Sequence, residues 1–590
     1  MLIDCADEDD DGDEDDAGEL LATEARCAGA SFLASRGAGG GHGTLGMTTP
    51  AAAASLDLVT AQGLFQALPR HLRHLSASVG ITEYDRMVSW AVALSSMPPG
   101  LTSLRLLGPL CHSPDLAEAV AGWALKLPCL RRLELALAEC CHSHPDLEAQ
   151  LYDDPESWTS SSWHGAFPAL TQLRALQLSM ENISDGLWCD VRSCSHLMCL
   201  RLLPTSWSGM CEAAGICYLT GLRELALTVS EPSELEELST LSQLTKLDLE
   251  MVGITCDDSS ETCGSSAAAN RRRGLLHRVT GGLVRLRRFS ISCRSATISA
   301  EELGLLKEHC PELTRLRIRA PFQQPSPLAC AANTVSLPPR LRVLRLENVR
   351  MTSCTSSMPG GILRLAMLPA EIVVLALEGL DLELLSGLHD GMNASVKGSV
   401  GQACGAEDRG PSTLVIKVVR CTLGCALEQL CGKELRSLDL IGTCLLGNAQ
   451  GMRSPGTGAG GLASLRCRCQ LRRLRIWGCM GQLRPLNDEA MHELVNQHPH
   501  LVDVALNASF ATRSGLSALA KLKSLRRLKI AVVGQECAAA LGPGLTCLQR
   551  LTELEVVLPA LNFVGDCVRA HLAGALPNAQ VRLRAQGAGD

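Results

Sequence analysis

Cys140-Cys141-His142-Ser143-His144 is the cluster in this chain that brings metal-type ligands closest together. Thiolate and imidazole suit zinc, and two of each would complete a tetrahedron. The spacing argues against it. Two adjacent cysteines do not readily turn both sulfurs to one ion, and no C-x-x-C pair lies nearby. The cluster reads instead as two thiols where a strand runs into a loop, with exposed histidines. Cys467-Arg468-Cys469 reads the same way. Gly456-Thr457-Gly458-Ala459-Gly460-Gly461 fits G-x-G-x-x-G. A phosphate cradle of that form needs a strand before it, a helix after it and an acid about 20 residues on. Here it lies in the loop-like MRSPGTGAGG, and no acid stands near position 481. Gly39–Gly43 lacks the Gly-Lys-Ser/Thr of a phosphate loop. No Ser/His/Asp or Cys/His set is brought together by the pattern. Catalytic residues, metal ligands and cofactor sites are therefore not assigned, and the chain reads as a non-enzyme.

The remaining chemistry is cationic and aromatic. Arg288, Arg315, Arg317 and Arg345 form one candidate stripe. Arg473, Arg475, Arg527 and Lys529 form a second, with Trp477 beside it and Asp503 interrupting it. Arginine and tryptophan are the residue types that dominate interface energetics. These positions are far apart in the chain, so a repeated element has to align them.

That element is the hexapeptide L-x-x-L-x-L, with Ile, Val or Phe allowed. Fifteen copies begin at Leu101, Leu130, Leu173, Leu197, Leu222, Leu244, Leu286, Leu313, Leu341, Ile372, Leu435, Leu471, Leu501, Leu525 and Leu551. Weaker candidates lie at Leu72, near Leu414 and at Val581-Arg582-Leu583. The alternation within L-x-L marks a short strand with one buried face. The third and fifth residues then point to the open face. Of those thirty positions, twelve are basic and seven acidic, so the distribution of charge matters more than its small excess. The return limbs must cover the buried face. Ser299–His309 and Asn487–Gln497 read as helices, each closed by a proline just beyond its end. Asn487 is placed as an N-cap, with Asp488 and Glu489 in the first turn. Insertions interrupt the period near 139–168, 254–274, 391–412 and 446–461.

The pattern of a helix followed by x-P-x-L-x-x-L-x-L is clearest in LLKEHCPELTRLRI (305–318) and LVNQHPHLVDVAL (494–506). It resembles leucine-rich repeats of the ribonuclease-inhibitor-like and F-box-associated kind, over roughly 70–583. The resemblance implies an α/β solenoid of about 15–18 repeats. Its concave parallel sheet would bind proteins, and its convex limbs would be helical or irregular. The family sets Asn or Cys three residues after the last strand leucine, where it bonds backbone between turns. Here that place is Cys at Cys479, Thr or Ser at Thr205, Ser230, Thr443 and Ser509, and mostly apolar or proline elsewhere, as at Pro109, Val349 and Leu380. Irregular turns are the expectation. Residues 56–75 lack the length of a three-helix F-box, and no F-box is assigned.

Composition bounds the rest. Of 590 residues, 46% are hydrophobic and only 3% aromatic, so the core must be Leu, Ile, Val, Ala and Cys. Twelve of the 62 acidic residues fall within 1–24, which holds no Lys or Arg; the remaining 50 face 54 basic residues. Residues 1–55 thus read as a disordered tail, acidic and then Gly/Ala-rich, ahead of a solenoid over 56–590. The acidic start does not suit a secretory or transit leader, and no apolar run approaches the ~20 residues that span a bilayer. A cytoplasmic protein with mostly reduced cysteines is expected, with cytoskeleton, cilium or nucleus as the alternative locations. The function read from this is a non-catalytic interaction scaffold or receptor, with an acidic protein as the partner of the concave stripes. The alternatives are a substrate-recognition adaptor of a ubiquitin ligase and a structural part of a cytoskeletal or ciliary assembly. Nucleic acid is disfavoured by the acidic total and the few aromatics available for stacking.

Overall fold

A computed structural model describes residues 72–78, 97–108, 122–123, 126–137, 167–180, 185–204, 215–229, 232–251, 275–293, 298–322, 336–348, 362–365, 372–384, 415–423, 435–445, 471–477, 480–481, 488–507, 512–531, 541, 544–545, 547–558, 569 and 572–585. The acidic segment, the Cys140–His144 cluster, the two glycine-rich stretches, Cys467, Cys469, Asn487 and most of the four insertions lie outside these residues. The chain divides into two compact units, Met1–His196 and Leu197–Asp590.

Every copy of L-x-x-L-x-L, and each of the three weaker candidates, forms a strand. In the first unit these are β1 (His74–Ser78), β2 (Ser103–Gly108), β3 (Arg132–Leu137) and β4 (Ala175–Met180), paired in parallel in that order. The second unit begins with β5 (Cys199–Pro204), β6 (Glu224–Val229), β7 (Lys246–Met251), β8 (Arg288–Cys293), β9 (Arg315–Ala320) and β10 (Val343–Asn348). Next come β11 (Ile362–Leu365), β12 (Val374–Glu378), β13 (Asp381–Leu384), β14 (Val415–Val419), β15 (Thr422–Leu423), β16 (Ser437–Ile441) and β17 (Cys444–Leu445). The last are β18 (Arg473–Trp477), β19 (Met480–Gly481), β20 (Asp503–Asn507), β21 (Arg527–Ala531), β22 (Glu553–Leu558) and β23 (Gln580–Ala585). Within the second unit, all of the strands except the odd-numbered ones from β11 to β19 make one parallel sheet, each pairing with that of the next repeat. This is a leucine-rich-repeat solenoid.

The register follows from which residues are buried. In the repeat LTRLRI, Leu313, Leu316 and Ile318 are at most 1% exposed. Burying each such side chain contributes about 1.5–3 kcal/mol, and a slip of one residue would expose all three. Backbone bonding repeats with the same period. The carbonyl of Arg223 accepts the N–H groups of Thr245 and Lys246, at 2.8 and 3.0 Å, and the Thr245 hydroxyl at 3.0 Å. Thr102, Thr314 and Thr552 make the same hydroxyl contact to Arg73, Arg287 and Arg526. A threonine after the first leucine of the motif thus ties one repeat to the one before it.

The return limbs include helices α1 (Asp185–Ser193), α2 (Leu275–Thr280), α3 (Ala300–His309), α4 (Asp488–Gln497) and α5 (Arg513–Ala518). Helices α3 and α4 fall where the sequence places them. Ser299 caps α3 in a capping box with Glu302, satisfying two backbone donors that the helix leaves open. Among the described residues no helix is long and apolar enough to cross a membrane. Cys194, Cys293, Cys310 and Cys421 are buried thiols outside any disulfide. Burial pushes Cys194 and Cys310 up to about 12, so at neutral pH they behave as small apolar core groups.

The turns are more regular than the missing ladder suggested, from β10 to β18. The five short strands β11, β13, β15, β17 and β19 form a second parallel sheet of their own. Three of them follow a main strand through a residue of positive φ: Gly379 (66°), Arg420 (52°) and Gly442 (58°). The N–H groups of these residues donate to Val419, Ile441 and Trp477 of the following repeats, at 2.9, 2.7 and 2.7 Å. A partial polar ladder accompanies them. Asn348 accepts from Phe322 N–H at 3.1 Å and donates to the Gly379 carbonyl at 2.9 Å. The Thr443 hydroxyl donates to Val418 at 3.0 Å. Asn348 stands two residues after the last strand leucine rather than three, which is why the motif spacing passes over it.

Candidate functional site: the open face of the repeat sheet

Strand pairing sorts the outward residues into rows that cross the strands. Neighbours within a row are about 4.8 Å apart. In the second unit the third motif positions give a first row and the fifth positions a middle row. A third row follows at the strand ends. Lys246, Arg288, Arg315 and Val343 are successive members of the first row. Ser290, Arg317, Arg345 and Ala376 are successive members of the middle row.

Arg288, Arg315, Arg317 and Arg345 are brought together on three adjacent strands, β8 to β10. Arg319 joins them in the third row and pairs with Glu347 at 2.9 Å. The nine outward positions of these strands therefore hold five arginines and one glutamate, the rest being Ser290, Ser292 and Val343. The strands before them are balanced instead. Glu224 lies 3.6 Å from Arg201 and 3.8 Å from Lys246. Asp248 sits among these groups, and burial raises its pKa against the pull of Lys246 and Arg201. In the first unit Glu134, 6% exposed, takes Arg105 at 2.9 Å and Gln177 at 3.3 Å.

The second stripe is also assembled, and acids lie within it. Asp503 is 6% exposed and has one oxygen within reach of three guanidiniums: Arg475 at 2.8 Å, Arg527 at 3.6 Å and Arg473 at 3.8 Å. Arg473 also reaches Asp439 at 3.2 Å. Burial raises the Asp439 pKa, and Arg473 and Arg475 pull it back only in part. Lys529 pairs with Glu555 at 3.2 Å, which also holds Arg584 at 3.4 Å. The Lys529 ammonium lies 4.5 Å from the centroid of the Trp477 ring. Ala505 is the middle-row residue between Arg475 and Lys529. Its single methyl leaves the space across which Lys529 leans to the indole.

Val343, Val374 and Val415 occupy the first row between the two stripes. Beyond them a hollow of about 480 Å³ opens on the second stripe. Arg420, Trp477, Arg527, Lys529, Glu553 and Arg582 are among the residues that line it. The place of Arg420 and the pairings of Asp503 and Glu555 escape a reading of the motif alone. Arg420 lies beyond the strand, in the turn. Asp503 and Glu555 are outward acids whose partners sit on other repeats. The signal for the first was the Gly379, Gly442 and Gly478 that stand where Arg420 does, one residue past the third row.

No protein-family model and no curated protein matches the chain. Solved structures similar to it include an internalin from Listeria monocytogenes, 14% identical, covering 73% of this chain and 92% of that one at a TM-score of 0.36. TLR13 in complex with ssRNA13 is 16% identical, covering 87% of this chain and 68% of that one at 0.37. The Arabidopsis receptor kinase HAESA ectodomain, in complex with an IDA peptide hormone, is 14% identical, covering 87% and 73% at 0.35. The assignment of this chain to the leucine-rich-repeat fold rests on its own strand register and buried leucines.

Proposed function

We propose that this protein is a non-catalytic scaffold or receptor that binds an acidic segment of another protein on the open face of its repeat sheet. The observation that carries this is the group of five arginines against one glutamate on β8 to β10. Cations fixed on adjacent strands of a stiff sheet steer an acidic partner toward it and favour it over a basic one. Guanidiniums also meet carboxylates in paired, directional hydrogen bonds.

The test is affinity capture with the wild-type chain beside a form carrying Arg288→Glu, Arg315→Glu, Arg317→Glu and Arg345→Glu. Partners recovered by the wild type should be lost from the reversed form, and the wild-type capture should weaken as salt is raised. Recovery of the same partners by both forms would remove β8–β10 as the binding surface.

A further inference from the structure

We infer that the hollow beside Trp477 is a second, separate docking site, one that takes a short extended peptide in which a large apolar side chain lies next to a carboxylate. The third row shows why. Across β8, β9, β10 and β12 it reads Ser292, Arg319, Glu347 and Glu378. Across β14, β16 and β18 it changes to Val419, Ile441 and Trp477. These three are half-buried rather than sealed, so an apolar strip about 10 Å long stays reachable at this edge of the sheet. An aromatic or branched side chain laid on it loses water on one whole face.

Arg420 supplies the carboxylate contact. It directly follows Val419, it is exposed, and it lines the hollow. Among the described residues no carboxylate pairs with it. Its φ of 52° is a left-handed conformation that costs a non-glycine residue about 1 kcal/mol, and the equivalent turns on either side use Gly379 and Gly442. A strained arginine kept where glycine fits, with its guanidinium at the end of an apolar strip, is the arrangement a ligand carboxylate would reward. Arg582, whose described side-chain bond is to Gln580 at 3.0 Å, supplies a cation at the other end.

The charge in between selects the class of ligand. Between Arg420 and Arg582 the hollow is lined by Asp503, Glu553 and Glu555 beside Arg475, Arg527 and Lys529, three carboxylates against three cations. A polyanion with evenly spaced phosphates would meet those carboxylates, whereas a peptide can place its carboxylates at the ends and neutral residues between. From β14 to β23 is six strand steps, about 29 Å, which an extended peptide of about nine residues spans.

The inference shares with the proposed function only the premise that the open face binds ligands, since it rests on different strands. The test is selection of a phage-displayed library of random nonapeptides on the full chain. Enriched peptides should carry an aromatic or large aliphatic residue beside Asp or Glu. Selection on Arg420→Gly should lose the acidic preference, while its thermal unfolding temperature stays equal or rises because glycine suits the turn. Selection on Trp477→Ala should lose the apolar preference. A selected peptide should bind Arg420→Gly about tenfold more weakly than wild type. It should bind the form with Arg288, Arg315, Arg317 and Arg345 reversed within about twofold of wild type, so the two sites can fail independently. No enrichment on the wild type, identical enrichment on both variants, or displacement of the peptide by polyuridylate at lower concentration than by free peptide would overturn the inference.

Discussion

Asp503 holds three guanidiniums within 3.8 Å while being almost wholly buried, so the cations around it are fixed in place as well as neutralised. Its replacement by Asn keeps the shape and removes the charge. The three partners keep 30–53% of their side-chain exposure, so water screens the loss. Asp503→Asn should lower unfolding free energy by about 1–2 kcal/mol, read as a shift in the urea midpoint at constant slope. The alternation of L-x-x-L-x-L made the outward direction of Asp503, Arg475 and Lys529 legible. It could not show that Arg475 and Asp503, 28 residues apart, share a bond, because that depends on which long side chain bends toward which neighbour. His309 gives a second prediction at this scale. Burial and the neighbouring His277 ring, 5.0 Å away between centroids, lower its pKa from 6.5. A base with a depressed folded value contributes stability that is complete above about pH 6.5 and is lost as pH falls through that folded value. His309→Gln should flatten the change in urea midpoint between about pH 7.5 and pH 5, a window that histidine titration covers. An unchanged slope would assign the dependence to another group.

Glu302 shows how one side chain can serve two elements. One oxygen accepts the Ser299 N–H at 2.8 Å, closing the capping box of α3. The other accepts the Leu276 N–H at 3.1 Å, an open donor in the first turn of α2. Glu302→Ala leaves both donors without this acceptor in a buried place and should cost about 2–3 kcal/mol. Ser299→Ala, which loses one exchangeable cap contact, should cost about 1 kcal/mol. Equal losses in thermal unfolding would show that the bridge to α2 contributes nothing. The ends of α3 and α4 could be read from sequence because caps and first-turn acids act within three residues. The second sheet could not. Strands of two to four residues such as β13, β15 and β17 have no period to detect, and they exist because each turn presents its backbone to the next repeat.

Within the second unit, each main strand between β5 and β23 pairs with the repeats on either side, so energy is held in neighbouring interfaces more than in a shared centre. Leu316→Ala, which empties a site 1% exposed, should cost about 2–5 kcal/mol. Amide exchange should then accelerate most in β8, β9 and β10 and little in β21 and β22. Uniform acceleration would show that the unit opens all at once. The repeat count was legible for the same reason that this prediction is local: each unit carries its own three core positions. The hollow was not legible, since it arises from an alanine, a tryptophan and a left-handed arginine contributed by three separate repeats.

Val343, Val374 and Val415 separate the two charged regions with side chains that form no ion pairs. From Arg317 on β9 to Arg475 on β18 is five strand steps, about 24 Å along a sheet with fixed spacing. A ligand that grips one region has to carry about seven extended residues before it can grip the other. Shorter tethers cannot bridge, and much longer ones dilute the second contact. The valines therefore act as a ruler: residence time on this face would depend on the spacing between two recognition elements in the ligand as well as on their composition.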